Sequence, residues 1–462
     1  MRVGILKRSP KDARASMWYI ASNLISRGSS FIFTPIFTRI LSPEEYGVYP
    51  MYLSVMGVFT VITTLELSTS SIYKGIERFG EDFTASVFGL ECVLFIFAFI
   101  SYAIFGKAVN SLTGLGWLLC AALLLQVFFS AVEGLYFAKK RYSGEYLSVT
   151  RINAISGVLS PALALILIKI GLRGEARVIA PLIISAIVTL IITPRIFKRG
   201  ETVSKEKWKY ALRLSLPMLP HYLAATLIAQ GDKVIVGRVI GKDALGRYSA
   251  AFSAGFAPSV ITSGISLALT PWIMRKLKEN KFERVKDAEG AIIAIIGFFI
   301  TSYLTVLPEA FAFFAPREYS SAIPVCYFTA VSVLFSLLSS ISAAILLFYE
   351  KSFLITRGTL IAAAVAIVSE YALAKGAGLI GVAIGAFIPH LITFALSRIT
   401  TRKICAKSTL NAKQYLPNLI FIGFFATISF LIRISLLARI LLFFASAIFF
   451  ARRILKARSA ML

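Results

Sequence analysis

Long apolar runs, separated by short polar corners, dominate the amino-acid sequence. About 20 predominantly apolar residues are needed for a helix to cross the hydrocarbon core of a membrane. This rule predicts fourteen membrane helices, near residues 16–40, 47–73, 84–106, 112–138, 145–168, 177–197, 210–237, 245–274, 289–314, 320–349, 353–374, 379–400, 415–434 and 436–455. The pattern therefore indicates an all-α, polytopic membrane protein.

One polar corner occurs twice. RILSPEEYGVY, Arg39 to Tyr49, is echoed by RVIGKDALGRY, Arg238 to Tyr248, with the first Arg, the ninth Gly and the last Tyr unchanged. An internal repeat of this kind predicts a duplicated unit. The longest polar stretch, Arg195 to Arg213, lies where two halves would join. We therefore divide the chain into a first lobe at 1–200, a second lobe at 201–408 and an additional helix pair at 409–462.

Composition supports a membrane location. Hydrophobic residues make up 57% of the chain and the mean hydropathy is +0.79, above the apolar share of soluble domains. The net charge is +26, from 49 Lys and Arg against 23 Asp and Glu. In a soluble chain this balance would suggest nucleic acid. Here most basic residues lie in polar segments on the side of the N-terminus, so we expect no nucleic-acid partner, a cytoplasmic (inner) membrane location and both termini in the cytoplasm.

Motifs of soluble enzymes are absent or lie in the wrong context. The four cysteines are far apart and form no CxxC pair, so we expect neither a disulfide framework nor a zinc site. GAGLIG, Gly376 to Gly381, has the spacing of a dinucleotide motif, but no predicted strand precedes it. GIERFGED, Gly75 to Asp82, has phosphate-loop spacing but places Glu81 where the lysine must stand. We therefore expect no catalytic residue, no metal and no enzyme activity.

Charged residues inside the predicted spans are candidates for function, because an ionisable group in hydrocarbon is costly unless it faces a bundle interior or a wet cavity. Arg27 lies close to the middle of the first span, as a cavity cation or as half of a buried ion pair. Glu66 and Glu91 lie toward the inner side, and lumen-facing and structural roles are both open. Arg151 lies at an inner depth of the fifth span. Glu370 stands alone in the eleventh, which is more typical of a packed or paired group.

The seventh span is the most polar. Pro217 and Pro220 remove backbone donors and bend the helix. His221 follows at mid-depth, and Asp232 and Lys233 lie in the outer third. Adjacent residues of a helix point about 100° apart, so we expect one charged side chain to face the lumen and the other to pair with a neighbouring helix. Together they line or gate a transport path, or form a structural ion pair.

Three segments resemble the polysaccharide-export branch, the Wzx-type flippases, of the multidrug, oligosaccharidyl-lipid and polysaccharide exporter superfamily. They are Ser26–Arg27, the corner Arg39–Tyr49, and the run LPMLPHY…GDKVIVGRVIGKDALGRYSAA from Leu216 to Ala251. In that family the first span leads into a similar Arg-x-Leu…Gly-x-Tyr corner, and the seventh span carries Pro, then Asp-Arg or Asp-Lys. The third to sixth spans carry no signature.

The resemblance implies two six-helix lobes, related by a pseudo-two-fold axis along the membrane normal, around a central cavity that opens alternately to either side. It implies a flippase whose substrate is a polyprenyl diphosphate carrying an oligosaccharide. Positive cavity groups suit the diphosphate. The substrate-binding candidates are Arg27, Arg151, Lys233 and His221. The candidates for gating or for coupling to a cation, H⁺ or Na⁺, are Asp232, Glu66 and Glu370.

Other functions stay open at this point. A lipid II-type flippase and a drug/cation antiporter share the fold, although an antiporter usually needs a dominant cavity carboxylate and little positive charge. A membrane glycan polymerase or ligase usually needs a long outer loop with catalytic Arg or His, and the outer loops here are short. A scramblase or a structural partner would lack directional transport. We expect a monomer that contacts membrane lipids and can associate with glycan-assembly proteins.

Overall fold

The structure is a computed structural model and describes residues 29, 32–197, 201–410, 412–431 and 435–461. The described residues form helices and contain no strand. The predicted all-α membrane fold is confirmed.

Seventeen helices follow one another along the described chain. The first nine are α1 (32–40), α2 (Pro43–Thr64), α3 (Leu67–Ser70), α4 (Ile72–Phe79), α5 (Asp82–Thr113), α6 (Trp117–Tyr142), α7 (Tyr146–Leu167), α8 (Ala176–Phe197) and α9 (Lys205–Ser215). The others are α10 (Leu219–Ile235), α11 (Lys242–Gly255), α12 (Ser259–Lys278), α13 (Phe282–Phe314), α14 (Ile323–Phe348), α15 (Ser352–Ile404), α16 (Ala412–Leu431) and α17 (Leu436–Met461).

Within the described residues, eight segments are long and apolar enough to cross a membrane, or nine if α11 and α12 form one bent span. Two of these segments, Leu147–Ile196 and Ser352–Ile404, have 50 and 53 residues, more than one crossing needs. Each contains two predicted spans and turns at a glycine with positive φ, Gly171 (103°) or Gly378 (57°). Of the first predicted span, 16–40, only residues 29 and 32–40 are described.

The first copy of the repeated corner begins α2. The Glu45 amide donates to the Ser42 hydroxyl at 3.3 Å, the Ser42 amide donates to the Glu45 carboxylate at 2.9 Å, and Pro43 takes the first helical position. This is the reciprocal capping arrangement that starts a helix. Glu45 also accepts two hydrogen bonds from the Arg173 guanidinium, at 2.7 and 2.9 Å. The corner is thereby held to the turn between α7 and α8.

The second copy begins α11 at the matching place. Gly241 aligns with Ser42 and precedes α11 with a φ of 133°, a conformation that favours glycine. Gly47 and Gly246, the aligned glycines of the repeat, are both buried inside their helices. Both corners therefore lead into a helix at the matching position, with different cap residues and a different φ at the cap.

Contacts divide the chain into two compact units, Met1–Thr226 and Leu227–Leu462. In the first unit, α9 packs against α5. The indole of Trp208 donates to the Ser86 carbonyl at 2.7 Å, and the Tyr210 ring meets Phe79 and Phe83 edge-on. Part of the long polar stretch between the sixth and seventh predicted spans is therefore an amphipathic helix that belongs to the N-terminal unit.

In the second unit, α14 is the central helix. It packs against α11, α12, α13 and α15, and Leu334, Leu338 and Ile345 on it are completely buried. Burial of apolar side chains against protein rather than lipid distinguishes this helix from its neighbours at the periphery.

Ion pairs fix α13 near both of its ends. Glu289 pairs with Arg398 of α15, and both side chains are almost completely buried, at 1% and 3% exposed. Glu309 pairs with Arg439 of α17, whose guanidinium also donates to the Thr305 carbonyl at 2.8 Å. The helix is thus tied to α15 at one end and to the C-terminal helix pair at the other.

We expect Glu289→Gln to lower the free energy of unfolding by about 3–5 kcal/mol, because it leaves the buried Arg398 guanidinium without its counter-charge. The control is Glu283→Gln, which breaks an exposed pair with Lys286 and should cost less than about 1 kcal/mol. Thermal denaturation in detergent, followed by labelling of the buried thiols Cys120, Cys326 and Cys405, measures both. Equal melting temperatures for the two variants would contradict this role of the buried pair.

Candidate functional site

α10 carries most of the candidate residues. A 3₁₀ segment, Leu216–Met218, precedes it, and Pro220 stands in its first turn, where a missing backbone donor is tolerated. His221 follows in the same turn and is partly buried, and its Nδ1 has no hydrogen-bond partner among the described residues.

Asp232 and Lys233, near the other end of α10, are buried at 1% and 8% exposed. Lys233 Nζ lies 3.1 Å from Asp232 Oδ1 and also donates to the Ala229 carbonyl at 3.3 Å. The expectation that the two charges diverge to different surroundings is wrong. The Cα–Cβ bonds do point apart, but the four-carbon stem of the lysine is long enough to fold back on the preceding carboxylate.

α11 supplies the other partners of this pair. The Tyr248 hydroxyl donates to Asp232 Oδ2 at 2.8 Å, and the tyrosine is completely buried. Lys233 Nζ lies 4.0 Å from the centre of the Phe252 ring, where the ring face attracts a cation. Neither aromatic residue was a candidate from the sequence. The available signal was Tyr248, the last residue of the repeated corner.

Glu370 of α15 joins the same group. It is completely buried, and neither carboxylate oxygen has a hydrogen-bond partner among the described residues. A Cβ added to Gly231 would lie 3.5 Å from Glu370 Oε2, so the carboxylate sits beside the α10 backbone just before Asp232. From the sequence we expected Glu370 to be a lone group. In the structure its carboxylate lies close enough to Asp232 and Lys233 to interact electrostatically with both.

We call these five residues, Asp232, Lys233, Tyr248, Phe252 and Glu370, the α10–α15 cluster. The cluster holds two carboxylates against one ammonium. An ionised carboxylate buried without a partner is strongly disfavoured, so the second carboxylate requires a proton or another cation. The arrangement can therefore exchange a cation, and it can release the Lys233 ammonium to a competing anion.

The remaining candidates lie apart from this cluster along the chain. Glu66 follows the end of α2, where its carboxylate accepts a hydrogen bond from the Thr69 hydroxyl at 2.8 Å. Arg151 is exposed on α7. Arg27 lies outside the described residues. In the part of the chain that the structure describes, no three His, Cys, Asp or Glu side chains are grouped to hold a metal ion.

The family described as "Polysaccharide biosynthesis protein" matches residues 13–277, more than half of the chain. The chain belongs to this family. The resemblance identified in the sequence is confirmed, and the matched residues include both corners, Asp232, Lys233 and Tyr248. Glu370 lies beyond the matched part.

Individual relatives agree with this assignment. The succinoglycan biosynthesis transport protein ExoT of Rhizobium meliloti (strain 1021) is 25% identical over 265 residues, 55% of this chain and 52% of ExoT. The chain thus matches about half the length of this relative.

Two solved structures share the fold. The lipid II flippase MurJ, in an inward closed conformation, matches 97% of this chain and 100% of its own with a TM-score of 0.71 at 15% identity. An inward-facing multidrug resistance MATE family transporter of the MOP superfamily matches 85% and 100%, with a TM-score of 0.66 at 16% identity. At such identities the likeness establishes the fold and leaves the substrate open.

We expect Tyr248→Phe to lower the free energy of unfolding by about 1.5–3 kcal/mol, because the buried Asp232 carboxylate loses the hydrogen bond that the Tyr248 hydroxyl donates to it. Tyr303→Phe is the matched control, since its hydroxyl donates to a neutral acceptor, the Ala254 carbonyl, at 2.6 Å, and its loss should cost about 0.5–1.5 kcal/mol. Thermal denaturation followed by thiol labelling compares the stabilities of the two variants. A Tyr248→Phe protein as stable as wild type would mean that the hydrogen bond to Asp232 contributes nothing.

Proposed function

We propose that this protein is a flippase that moves a polyprenyl-diphosphate-linked oligosaccharide from the cytoplasmic to the outer leaflet for cell-surface polysaccharide biosynthesis. The observation that carries the proposal is the family match over residues 13–277, because it includes the buried Asp232–Lys233 pair. The transport relative ExoT and the MOP-type fold support it. We place the protein in the inner membrane as a monomer, with both termini cytoplasmic, where it moves the lipid without making or breaking a covalent bond.

The substrate sets the physical requirement. A flippase must shelter an anionic diphosphate and a polar glycan while the lipid tail stays in the bilayer. Cationic groups in a low-dielectric surrounding bind phosphate strongly. We assign this role to Arg27, Arg151 and Lys233, with His221 as a further polar contact.

Lys233 can bind the diphosphate only if its ion pair with Asp232 is first broken. In the proposed cycle the diphosphate competes for the Lys233 ammonium, and Asp232 keeps its hydrogen bond from Tyr248. Glu370 takes up or releases a proton or another cation as the charge of the cluster changes. Alternating access then follows from movement of the lobes at 1–200 and 201–408 against each other, with Glu66 as a gating candidate and the helix pair 409–462 as an addition.

A drug/cation antiporter fits the cluster less well. A cationic drug needs an uncompensated carboxylate. Glu370 is such a carboxylate, but the Lys233 ammonium in the same cluster, which neutralises Asp232, would repel the drug. A lipid II-type flippase stays an alternative of the same class, since it handles the same diphosphate chemistry.

Reconstitution tests the function itself. The purified full chain is placed in liposomes with a fluorescent polyprenyl-diphosphate oligosaccharide, and an impermeant quencher reports the leaflet of the label. We expect the label to change leaflets in protein-containing liposomes and not in empty ones. Absence of movement would refute the flippase, and elongation of the glycan would indicate a polymerase.

A charge-balanced double variant separates a transport role of the pair from a structural one. We expect Asp232→Asn and Lys233→Gln singly to reduce both stability and flipping, because each leaves a buried charge unpaired. The double variant Asp232→Asn/Lys233→Gln should recover most of the stability and still lack flipping. Recovery of flipping in the double variant would show that the pair only holds the helices together.

Arg27 gives an independent prediction. Arg27→Gln should abolish glycan export in cells while the protein level stays normal, because the diphosphate loses a cation near mid-membrane. Arg357→Gln, a change of the same type near the start of α15, is the control and should leave export intact. Export at the wild-type level in the Arg27 variant would remove this residue from the mechanism.

A further inference from the structure

The amphipathic helix α9 follows the membrane helix α8 in the chain and precedes α10, and one of its faces is packed against the N-terminal unit. On that face Ala211 and Ser215 are completely buried, and Ser215 shares a hydrogen bond with Ser70 of α3. The Trp208 indole on the same face donates to the Ser86 carbonyl of α5. The helix is therefore a fixed part of the unit rather than a loose linker.

The contacts of α9 lie at the start of α5, a helix that is long and apolar enough to cross a membrane. The Tyr210 ring meets Phe83 in the first turn of α5. A Cβ added to Gly89, about two turns further on, would lie 1.9 Å from the Thr202 carbonyl oxygen, so the backbone before α9 touches α5 directly. Trp and Tyr are enriched where membrane spans meet water. α9 therefore lies beside the end of a span, at the level of lipid headgroups.

The outward face of α9 is basic. Lys205, Lys209 and Arg213 are all exposed, and their four-residue spacing puts them on one side of the helix. Like charges at this spacing destabilise a helix, so the arrangement does not stabilise α9 itself. The 3₁₀ segment that follows adds two exposed apolar side chains, Leu216 and Met218, at 49% and 36% exposed.

These three cations have no ion-pair partner among the described residues. Glu206 is the one acidic residue in the sequence of α9. Lys139 and Lys140, at the end of α6 in the same unit, differ in this respect, because they pair with Glu81 and Glu145 at 3.1 and 2.6 Å. The basic face of α9 is therefore available to an anion from outside the described chain.

We propose that α9 binds anionic phospholipids of the adjacent leaflet, with headgroup phosphates at Lys205, Lys209 and Arg213 and acyl chains at Leu216 and Met218. The helix carries four Lys and Arg residues, and such a cluster on an amphipathic helix beside a membrane span recognises anionic headgroups. The two apolar side chains favour a lipid over an acidic soluble protein, because a lipid supplies both an anionic headgroup and an acyl chain. This binding goes beyond the proposed transport, since it needs no lipid-linked oligosaccharide.

Binding is tested on the purified full chain, delipidated in a neutral detergent. Phosphatidylglycerol and, separately, phosphatidylcholine are added, and native mass spectrometry measures the lipid bound per chain. We expect phosphatidylglycerol to bind more tightly, and added salt to weaken its binding. The triple variant Lys205→Gln/Lys209→Gln/Arg213→Gln should lower the affinity for phosphatidylglycerol by about tenfold or more and leave the affinity for phosphatidylcholine unchanged.

A second triple variant, Lys276→Gln/Lys281→Gln/Lys286→Gln, is the matched control. It removes the same charge from the turn between α12 and α13, where the three ammonium groups pair with Glu279 or Glu283 at 2.8–3.1 Å. Because these cations already have counter-charges, the variant should bind phosphatidylglycerol as wild type does. An equal loss in the two triple variants would mean that only net charge matters, and would overturn the α9 surface.

Two more variants keep the test decisive. Lys205→Arg/Lys209→Arg/Arg213→Lys conserves the charge and should bind phosphatidylglycerol as wild type does. If the triple Gln variant of α9 does not elute as a monodisperse protein, the single variant Lys209→Gln carries the test and should weaken the affinity by about fivefold. Equal wild-type affinity for the two lipids, or displacement of phosphatidylglycerol by the same concentration of inorganic phosphate, would refute a lipid surface.

Discussion

Neutralisation of charge in an apolar surrounding is the constraint on which the described structure depends. Exposed ion pairs contribute little, but a lone charge among membrane helices costs several kcal/mol. Glu289–Arg398 and Glu309–Arg439 therefore join α13 to helices far along the chain. The Asp232–Lys233 pair, with the Tyr248 hydroxyl, joins α10 to α11 in the same way. The packing of these helices therefore depends on the pairing of their charges.

The repeated corner shows how this constraint is met differently by equivalent positions. Tyr49 of the first copy lies beside the Arg177 guanidinium, 4.8 Å from its ring centre, whereas Tyr248 of the second copy donates to a carboxylate. Arg177 also lies over Tyr46. Both copies lead into a helix at the matching position, and the aligned glycines, Gly47 and Gly246, are buried in both. The polar partners differ, so the repeated corner contributes to a cation–aromatic group in its first copy and to a carboxylate cluster in its second.

Hydrophobic patterning and helix-capping rules predicted the helices, because both depend on residues that are close together in the sequence. Apolar runs gave the spans, and the spacing of Ser42 and Glu45 suits a helix start. The meeting of Glu370 with Asp232 and Lys233 could not be predicted, because hydropathy does not say which helix faces touch. The left-handed break at Leu65–Glu66 had no Gly or Pro to signal it. The sequence therefore located charged residues within apolar segments, but it did not identify their partners.

The two carboxylates of the α10–α15 cluster are balanced differently, and this difference has a consequence for coupling. At Asp232 the tethered Lys233 ammonium is present, so a free cation must displace it. At Glu370, which has no hydrogen-bond partner among the described residues, a proton or another cation meets no such competitor. In the proposed cycle the anionic headgroup acts on Lys233 and the cation acts on Glu370. Coupling between them is then a free energy, and by reciprocity each ligand must change the affinity for the other by the same factor.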